Sequence, residues 1–502
     1  MVLAAMLFSI PQASADTTED ASTAQEQPPK FSLSGCSGFQ MTRLQSWKVW
    51  GRQQSPRIYN NVVIDLIVDR TITPHFSIHA GVEGFMWFNT HPLLVGMQGQ
   101  LQPALGENSA YLLQAENVFT FDEDNLLKIP NDVFRGEFHM GYFPYKYNPD
   151  VRNLGEYLFR SGTYPGWLRN TPFVPEARLA GLMIRTTAFD KWKNDILVTT
   201  EMEMYPFYDL SYSWISSINI GKILDIGGGV NLARFTPANS QLTTRKKDLN
   251  ENTCPFYMKN LVTAPDTLIP GEVDTISGDT MFYTFTGTKV MGRLSIDLKG
   301  LLPEETASMF GKNDGIIYGE FAVLGLANQG DYYNKLSERI PVTFGVNIPR
   351  PTLLLYPFSL IDNKIVKSIY SVIDWIFKFD VLSIEGEYYT MPYPDDYRNQ
   401  VQAMKQYVGG TPIPDNHIDW VEGGYSNTTD VSTNYNWAWY QHDSWKWSVY
   451  FKKTIGGHFA IIGQAARDHL RGMSNSLVGR DYDESLTKTT HWYWALRAIS
   501  FW

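Results

Sequence analysis

Apolar and polar residues alternate with a period of two along most of the chain. In residues 293–299, Leu294 and Ile296 fall on one face, whereas Arg293 and Asp297 fall on the other. The same alternation recurs in residues 62–69, 133–142, 196–204, 382–388 and 445–452. Because successive side chains of a strand point to opposite sides, the pattern predicts β-strands with one apolar and one polar face.

Sixteen segments with this pattern can be counted along the sequence. They cover residues 33–48, 58–72, 75–90, 109–121, 131–145, 177–190, 194–206, 209–219, 223–237, 280–300, 315–329, 339–350, 377–391, 443–455, 457–470 and 487–502. An even number of strands in regular succession predicts an all-β, antiparallel architecture.

The charged residues of these segments lie in the middle of the polar faces. A small closed barrel or a sandwich core could not bury so many charges, but a wide barrel with a water-filled lumen can hold them. A charge facing lipid at the midplane of a bilayer would cost about 2–4 kcal/mol, and the apolar faces largely avoid charges. The pattern therefore favours a transmembrane β-barrel.

The connections between the segments differ in length in a regular way. The short ones include Thr73-Pro74, Lys191-Trp192-Lys193 and the Gly456 turn. The long ones fall mainly at the other end, at residues 145–177, 238–279 and 392–442. Two connections break this rule, because 207–208 is too short for the long-loop end and 351–376 is too long for the short-turn end.

The connection 351–376 contains a helical repeat. Ile365, Ile369, Val372 and Ile376 recur at a spacing of three or four residues, opposite Lys367. This spacing predicts a short amphipathic helix. It could pack beneath or against the barrel wall, plug part of the barrel, or contact a membrane surface.

The last strand is the most specific feature of the sequence. Trp492, Trp494, Leu496 and Trp502 share one face, and the chain ends in Phe501-Trp502. A final strand that ends in an aromatic residue resembles the last strand of bacterial outer-membrane β-barrels. The resemblance implies that Phe501 and Trp502 belong to the signal read by the barrel-assembly machinery, with short turns in the periplasm and long loops outside the cell.

The N-terminal region resembles an export signal. An apolar stretch ends in Ala13-Ser14-Ala15, which predicts a signal peptide over residues 1–15 that is cleaved after Ala15. Residues 16–30 are acidic and poor in apolar side chains, which predicts a disordered periplasmic tail before a single transmembrane barrel over 31–502. Export to a Gram-negative outer membrane is the localisation that this implies.

Composition and charge narrow the class of protein further. The 502 residues are 43% hydrophobic with a mean hydropathy of -0.24, and no run approaches the roughly 18 apolar residues of a membrane helix. Aromatic residues make up 14% of the chain, which suits the interfacial girdles of a membrane barrel. The net charge of -10 argues against nucleic acid as a partner. Cys36 and Cys254 are the only cysteines, and their expected positions argue against a disulfide.

The segment 141–169 is the strongest candidate for function. It follows the fifth predicted strand, and its position resembles the third loop of general porins, which folds into the lumen. The resemblance implies a pore constriction with a transverse field set by Asp150, Arg152, Glu156, Arg160 and Arg169. Two other interpretations remain open, namely a surface Ω-loop packed on its own aromatic residues and a sugar-stacking surface of Tyr157, Tyr164 and Trp167.

The parity of the strands also predicts which charges line the lumen wall. The acidic candidates are Asp65, Asp69, Glu83, Glu137, Glu201, Glu203, Asp225, Asp297, Glu320, Glu385 and Glu387. The basic candidates are Arg135, Arg293, Lys446, Lys452 and Arg497. Acids outnumber bases, which predicts a mild preference for cations, although these charges could simply solvate the wall and pair with one another.

Chemistry at a catalytic site has little support in the sequence. No nucleophile elbow, zinc-protease motif or phosphate-binding loop is present. His417 and His442, near Asp415 or Asp443, could form a rim site, but scattered surface histidines are commoner. We therefore expect a non-enzymatic protein without cofactor or metal.

Together these patterns predict a general porin-like barrel of about sixteen strands that passes small hydrophilic solutes or ions by diffusion. Its expected partners are outer-membrane lipid, lipopolysaccharide and the barrel-assembly machinery, and the resemblance to porins implies a homotrimer. The alternative is a surface anchor or an adhesion or polysaccharide-binding barrel that uses loops 238–279 and 392–442.

Overall fold

The computed structural model describes most of the predicted strands and a few of their connections. The described residues are 31–45, 47–49, 52–54, 57–87, 108–122, 128–160, 177–200, 208–236, 238, 256–265, 273–283, 287–326, 336–349, 363–389, 445–468 and 490–502. The predicted signal peptide 1–15, the tail 16–30, Cys254, the loop 392–442 and both rim histidines lie outside them.

Twenty strands are present among the described residues. In chain order, β1–β20 are Phe31–Leu44, Trp47–Val49, Arg52–Gln54, Arg57–Thr73, Phe76–Trp87, Asn108–Phe121, Phe134–Tyr145, Ala177–Ala188, Trp192–Thr200, Leu210–Ile220, Leu224–Thr236, Phe256–Pro265, Val273–Tyr283, Gly287–Asp297, Ile316–Leu324, Val342–Asn347, Val381–Tyr388, Trp445–Ile455, Phe459–Arg467 and Tyr493–Phe501. The α-helices α1–α3 are Tyr157–Arg160, Glu304–Ala307 and Lys364–Phe377, and short 3-10 helices cover Leu298–Leu301 and Leu336–Arg339.

Sixteen of the strands close into one antiparallel barrel. The ring runs β1-β20-β19-β18-β17-β16-β15-β14-β11-β10-β9-β8-β7-β6-β5-β4 and returns to β1. Strand β1 closes it, because Cys36 is the register partner of both Phe501 on β20 and Asp65 on β4. The predicted fold class is confirmed, and each of the sixteen predicted segments overlaps one strand of the ring.

The predicted alternation separates the outside of the barrel from its inside. Ile64, Ile196 and Trp214 are each more than half exposed on the outer surface, whereas Leu197 and Glu385 are buried within. On the outward faces of the described barrel strands, the charged residues lie near strand ends: Arg43, Arg70, Arg178, Lys453 and Arg467. An apolar exterior with charges confined to its rims is the surface that a lipid bilayer accommodates.

Tight turns occupy one end of the barrel. The turns at 74–75, 189–191, 221–223 and 456–458 all lie at this end, together with the C-terminal residue Trp502. We call it the short-turn end. Residues 298–315 also connect two strands here, as a longer excursion through a 3-10 helix and α2, which the sequence pattern did not predict.

One predicted strand needs correction. The predicted strand 280–300 begins too early, because residues up to Tyr283 pair within a separate hairpin, β12–β13, that replaces part of the expected loop 238–279. The described part of β9 runs to Thr200 and β10 begins at Leu210, while residue 207 of the predicted connection 207–208 lies outside the described residues. The amphipathic helix is present, as α3, at Lys364–Phe377.

None of the helices among the described residues is long and apolar enough to cross a membrane.

The lumen and the segment that crosses it as the candidate functional site

Residues 146–160 leave the end of β7 and run into the barrel interior. Strand β7 and strand β17 are eight places apart in the ring in either direction, so they face each other across the lumen. Backbone N–H groups of Asn153 and Leu154 nevertheless donate to the inward-facing carboxylate of Glu385 on β17, at 2.8 and 2.9 Å. These residues, here called the crossing segment, therefore span the lumen.

Glu320 on β15 is the first anchor of the crossing segment. Its carboxylate accepts hydrogen bonds from the N–H groups of Glu156 and Tyr157, at 3.1 and 3.0 Å. It also accepts from the Tyr147 hydroxyl at 2.6 Å and from the Asn148 amide at 2.9 Å. Hydrogen bonds to a charged acceptor contribute about 1.5–3 kcal/mol each, so this one buried side chain holds both ends of the segment together.

Glu385 and Glu387 on β17 are the second anchor. Besides Asn153 and Leu154, Glu385 accepts from the N–H of Arg152 and from the Tyr318 hydroxyl at 2.7 Å. Glu387 accepts from the Tyr157 hydroxyl at 2.7 Å. The predicted wall acids are thus inside the barrel, but these carboxylates bind the protein's own segment.

A third anchor was missed by the sequence analysis. The Asn153 amide donates to Asp468 at 2.7 Å, just past the end of β19, and the Tyr493 hydroxyl donates to the same oxygen at 2.8 Å. Asp468 follows Arg467, the last residue of its strand, so the period-two pattern gives no sign of its partner.

Apolar contacts fix the segment against one arc of the wall. Phe159 packs edge-on against Tyr145, with ring centroids 5.4 Å apart, and lies 6.2 Å from the ring of Tyr147. The contiguous buried cluster joins the segment to β7–β10, β14 and β15: Phe143, Tyr145, Tyr147, Tyr157, Leu158, Phe159, Ala177, Leu179, Met183, Leu197, Ile215, Met291, Ala322, Leu324 and Tyr389. One arc of the lumen is therefore packed with side chains, and the segment is not a surface loop.

Glu156 marks the sharp reversal of the crossing segment. Its backbone is left-handed with φ of 62°, after Gly155 with φ of 99°. Its carboxyl accepts hydrogen bonds from the N–H groups of Tyr147 and Asn148, at 3.3 and 2.5 Å. Burial, together with repulsion by the nearby Glu320, raises the pKa of Glu156 to about 8. The carboxyl is directed into the segment's own fold.

The other predicted constriction residues are placed differently. Asp150 and Arg152 are partly exposed within the lumen, and the Arg152 guanidinium donates to the carbonyl of Pro149 at 3.0 Å. Arg160 is the last residue of α1, and Arg169 lies outside the described residues. Tyr157, which one alternative interpretation placed on a sugar-stacking surface, is buried and its hydroxyl donates to Glu387, so its ring is not available to a solute.

The predicted wall charges that are described lie at inward-facing positions of their strands. These are Asp65, Asp69, Glu83, Arg135, Glu137, Asp225, Arg293, Asp297, Glu320, Glu385, Glu387, Lys446, Lys452 and Arg497, whereas Glu201 and Glu203 lie outside the described residues. Several pair with neighbours on the wall: Arg293 with Asp225 at 3.0 Å and Arg135 with Asp190 at 3.0 Å. Pairing of this kind lowers the net field that a passing ion meets.

Comparisons with known proteins give similarity at the level of shape only. No family model and no curated protein matches the chain. Among solved structures, OprB of Pseudomonas putida has a TM-score of 0.43 at 8% identity, covering 94% of each chain. OmpF of Salmonella typhi, in complex with daunomycin, has a TM-score of 0.39 at 10% identity, covering 94% of this chain and 97% of that one. A triple mutant of Rhodopseudomonas blastica porin has a TM-score of 0.38 at 4% identity, covering 94% of this chain and all of that one.

The fold is that of a porin-like barrel. This conclusion rests on the closed ring of sixteen antiparallel strands, and it agrees with the resemblance in the last strand of the sequence.

A chain of polar side chains on the porin-like wall has the order of a catalytic triad. The Ser77 hydroxyl lies 2.8 Å from Nε2 of His79, and Nδ1 of His79 lies 2.6 Å from Asp69. Hydrolysis by such a group also needs N–H donors for the oxyanion. Ser77 is paired with Thr71 on one side and Val118 on the other, so its backbone belongs to the sheet ladder. We assign no catalysis to these residues.

A second histidine, which the sequence analysis did not single out, joins two carboxylates in the middle of β7. Nδ1 of His139 lies 3.0 Å from Glu116, and its Nε2 lies 3.1 Å from Glu137. Both carboxylates and the ring face the lumen from β6 and β7. The alternation along β6 could have placed Glu116 among the lumen charges. A bulge opposite Gly81 and Val82 of β5, however, shifts the register of β6.

Proposed function

We propose that this chain is an outer-membrane porin that passes small hydrophilic solutes by passive diffusion. The observation that supports this proposal is the closed ring of sixteen strands with an apolar exterior and a charged interior. Barrels of 16–18 strands are wide enough to leave an aqueous channel. Side-chain charges that face a lumen interact with water and permeating ions at no cost in lipid contacts.

We propose further that the crossing segment is the constriction of this pore. It spans the lumen from β7 to β17 and packs against one side of the wall. The polar residues on the rest of the wall would then line the open passage. Asp150 and Arg152, which are partly exposed, are the residues proposed to meet a solute there, together with Arg160 and Arg169. Glu156 is not included, because its carboxyl is buried among the backbone groups of the segment.

A mild cation preference is proposed from the excess of acidic residues on the predicted wall. The structure limits its expected size, because Glu320, Glu385 and Glu387 already accept several internal hydrogen bonds. Asp65 and Asp69 on β4 are half-buried at inward-facing positions, and they are the proposed source of the preference.

The pore is tested by inserting the purified protein into a planar lipid bilayer. We expect stepwise, ohmic conductance increments. In a salt gradient, we expect a reversal potential whose sign indicates a preference for cations. Absence of conductance in the bilayer would overturn the porin proposal. Stepwise currents with a clear anion preference would leave the pore in place and overturn only the proposed selectivity.

We propose that the chain is exported to the periplasm and then assembled into the outer membrane. The predicted signal peptide would direct the chain to the periplasm, and Phe501 and Trp502 would be read by the barrel-assembly machinery before insertion beside lipopolysaccharide. The resemblance to porins supports a homotrimer.

A further inference from the structure

Helix α3 lies at the short-turn end, on the outer side of the barrel wall. It connects β16 to β17, and Val381 at the start of β17 is the partner of Lys452 near the end of β18. The chain that follows α3 brings Phe379 within 5.4 Å of the ring of Phe451. Phe451 has the parity of the exposed Trp445 and Trp447, so it faces outward. Helix α3 is thus not a plug of the lumen.

Lys453 holds the C-terminal end of α3 to this outer surface. Its ammonium group donates to the carbonyls of Trp375 and Ile376, the latter at 3.0 Å, and lies 4.5 Å from the centre of the Trp375 ring. Lys453 also faces outward. It is the third residue from the end of β18, which the 456–458 turn follows. A cation is favourable at a helix C-terminus, so this contact both caps the helix and fixes its position at the rim.

One side of α3 is half-buried, and a second apolar stripe along the helix is exposed. Val366, Tyr370 and Ile373 are half-buried. The exposed stripe recurs at a helical spacing and is 70, 55, 57 and 46% exposed at Ile365, Ile369, Val372 and Ile376, respectively. The opposite side of the helix carries exposed Lys364, Lys367 and Ser371.

We propose that α3 is an interfacial anchor whose apolar stripe lies in the lipid leaflet at the short-turn end, which is the periplasmic leaflet if the proposed porin function holds. Lipid is the expected occupant because the helix is continuous with the apolar outer face of the barrel. The residues that attach α3 to the barrel, Phe451 and Lys453, belong to the same outward face as the apolar belt. A helix with apolar side chains on one face and lysines on the other lies in the plane of a membrane surface.

Trp375 and Lys453 support the same placement. Trp375 is 59% exposed at the edge of the stripe, and the aliphatic stem of Lys453 can extend along the apolar wall while its ammonium group reaches the helix end. Tryptophan rings are enriched at the boundary between headgroups and acyl chains. The helix of 14 residues is about 20 Å long.

The proposal is tested with spin labels on protein reconstituted into phospholipid vesicles. With Cys36→Ser and Cys254→Ser as background, a single label is attached at Ile369→Cys or at the matched control Ser371→Cys. These positions are two residues apart and about 160° apart around the helix axis. We expect the Ile369→Cys label to be several-fold more accessible to oxygen than to a water-soluble nickel reagent, and the Ser371→Cys label to show the reverse.

A third label at Ile384→Cys, on the exposed outer face of β17, separates this inference from the porin proposal. If position 384 reports lipid but position 369 is as accessible to the nickel reagent as position 371, the anchor is overturned and the barrel remains in the membrane. An immobile label at 369 that neither reagent reaches would show that a protein surface covers the stripe, which also overturns lipid as the occupant. A water-exposed label at 384 would overturn the membrane barrel itself.

Discussion

At the scale of single residues, the interior of this barrel is organised by buried carboxyl groups. Glu320 and Glu385 are each 2% exposed and accept hydrogen bonds from backbone N–H groups of the crossing segment. Glu156 accepts hydrogen bonds within the segment itself. Carboxylates can satisfy N–H groups that face no strand partner, so the segment needs no regular secondary structure to cross the lumen.

The raised pKa of Glu156 predicts that the crossing segment responds to pH. The folded pKa of about 8 lies above the ordinary value of 4.5, so the docked segment binds a proton between these values. Docking is therefore strongest below the ordinary value and weakens as the pH rises through about 8. We expect the single-channel conductance to become larger and noisier as the pH rises from 4.5 to about 8, with little further change above that.

Two variants test whether Glu156 causes this pH dependence of the conductance. Glu156→Gln keeps the shape of the protonated side chain and should remove the conductance step. Asp150→Asn removes a partly exposed charge from the same segment and should retain it. A step that persists in Glu156→Gln would show that another group controls the docking.

At the scale of elements, Gly229, the last of three consecutive glycines in β11, makes room for the crossing segment. A Cβ atom at the inward-facing Gly229 would lie 3.0 Å from the side chains of both Leu158 and Ile215. At the outward-facing Gly228 the nearest atom is the Met291 carbonyl oxygen, at 3.4 Å. The absence of a side chain at Gly229 thus allows α1 to approach the wall, and Lys289 completes the contact by donating to the Leu158 carbonyl at 3.0 Å.

We predict that Gly229→Val displaces the crossing segment while the barrel still forms. Overpacking of this kind costs about 1–3 kcal/mol, which is comparable to one of the anchoring hydrogen bonds. Single-channel conductance should rise, and limited proteolysis should cut within residues 146–160. Gly228→Val, whose side chain points to lipid, is the matched control and should behave as the wild type. Equal conductance and equal proteolysis of the two variants would contradict the proposed packing of Leu158 against Gly229.

At the scale of the whole molecule, closure of the ring depends on its two terminal strands. The N–H of Gly35 donates to the carbonyl of Trp502 at 3.0 Å, and the N–H of Trp502 donates back to Gly35 at 3.1 Å. The Trp502 ring covers Gly35, where a Cβ atom would lie 2.8 Å from it. The last residue therefore contributes both hydrogen bonds and a covering side chain to the seam between β1 and β20.

Deletion of Trp502 should lower the yield of closed barrel. It removes both hydrogen bonds and exposes the edge of β1, whereas Trp502→Phe keeps the backbone and an aromatic ring. We expect the deletion variant to refold into detergent with a yield reduced several-fold and Trp502→Phe to stay near the wild type, as measured by the mobility shift between unheated and heated samples. A deletion variant that refolds as well as the wild type would show that the seam does not need this residue.

The sequence alone determined which side of each strand faces inward. This property is local, because a period of two places Leu294 and Arg293 on opposite faces whatever their neighbours are. It also determined helix α3, since the spacing of Ile365, Ile369 and Val372 lies within one element. The same locality explains why the count of barrel strands was confirmed, while the strand predicted from residue 280 begins only at Gly287.

Only the tertiary structure decided what the inward-facing groups bind. Glu320 meets Tyr147 across a sequence separation of 173 residues, and Glu385 meets Asn153 across 232. No periodicity connects such positions, because the irregular crossing segment has none and the partner is set by the closure of the ring. The sequence identified Glu385 and Glu387 as wall carboxylates, and the fold showed that they hold the segment that spans the lumen.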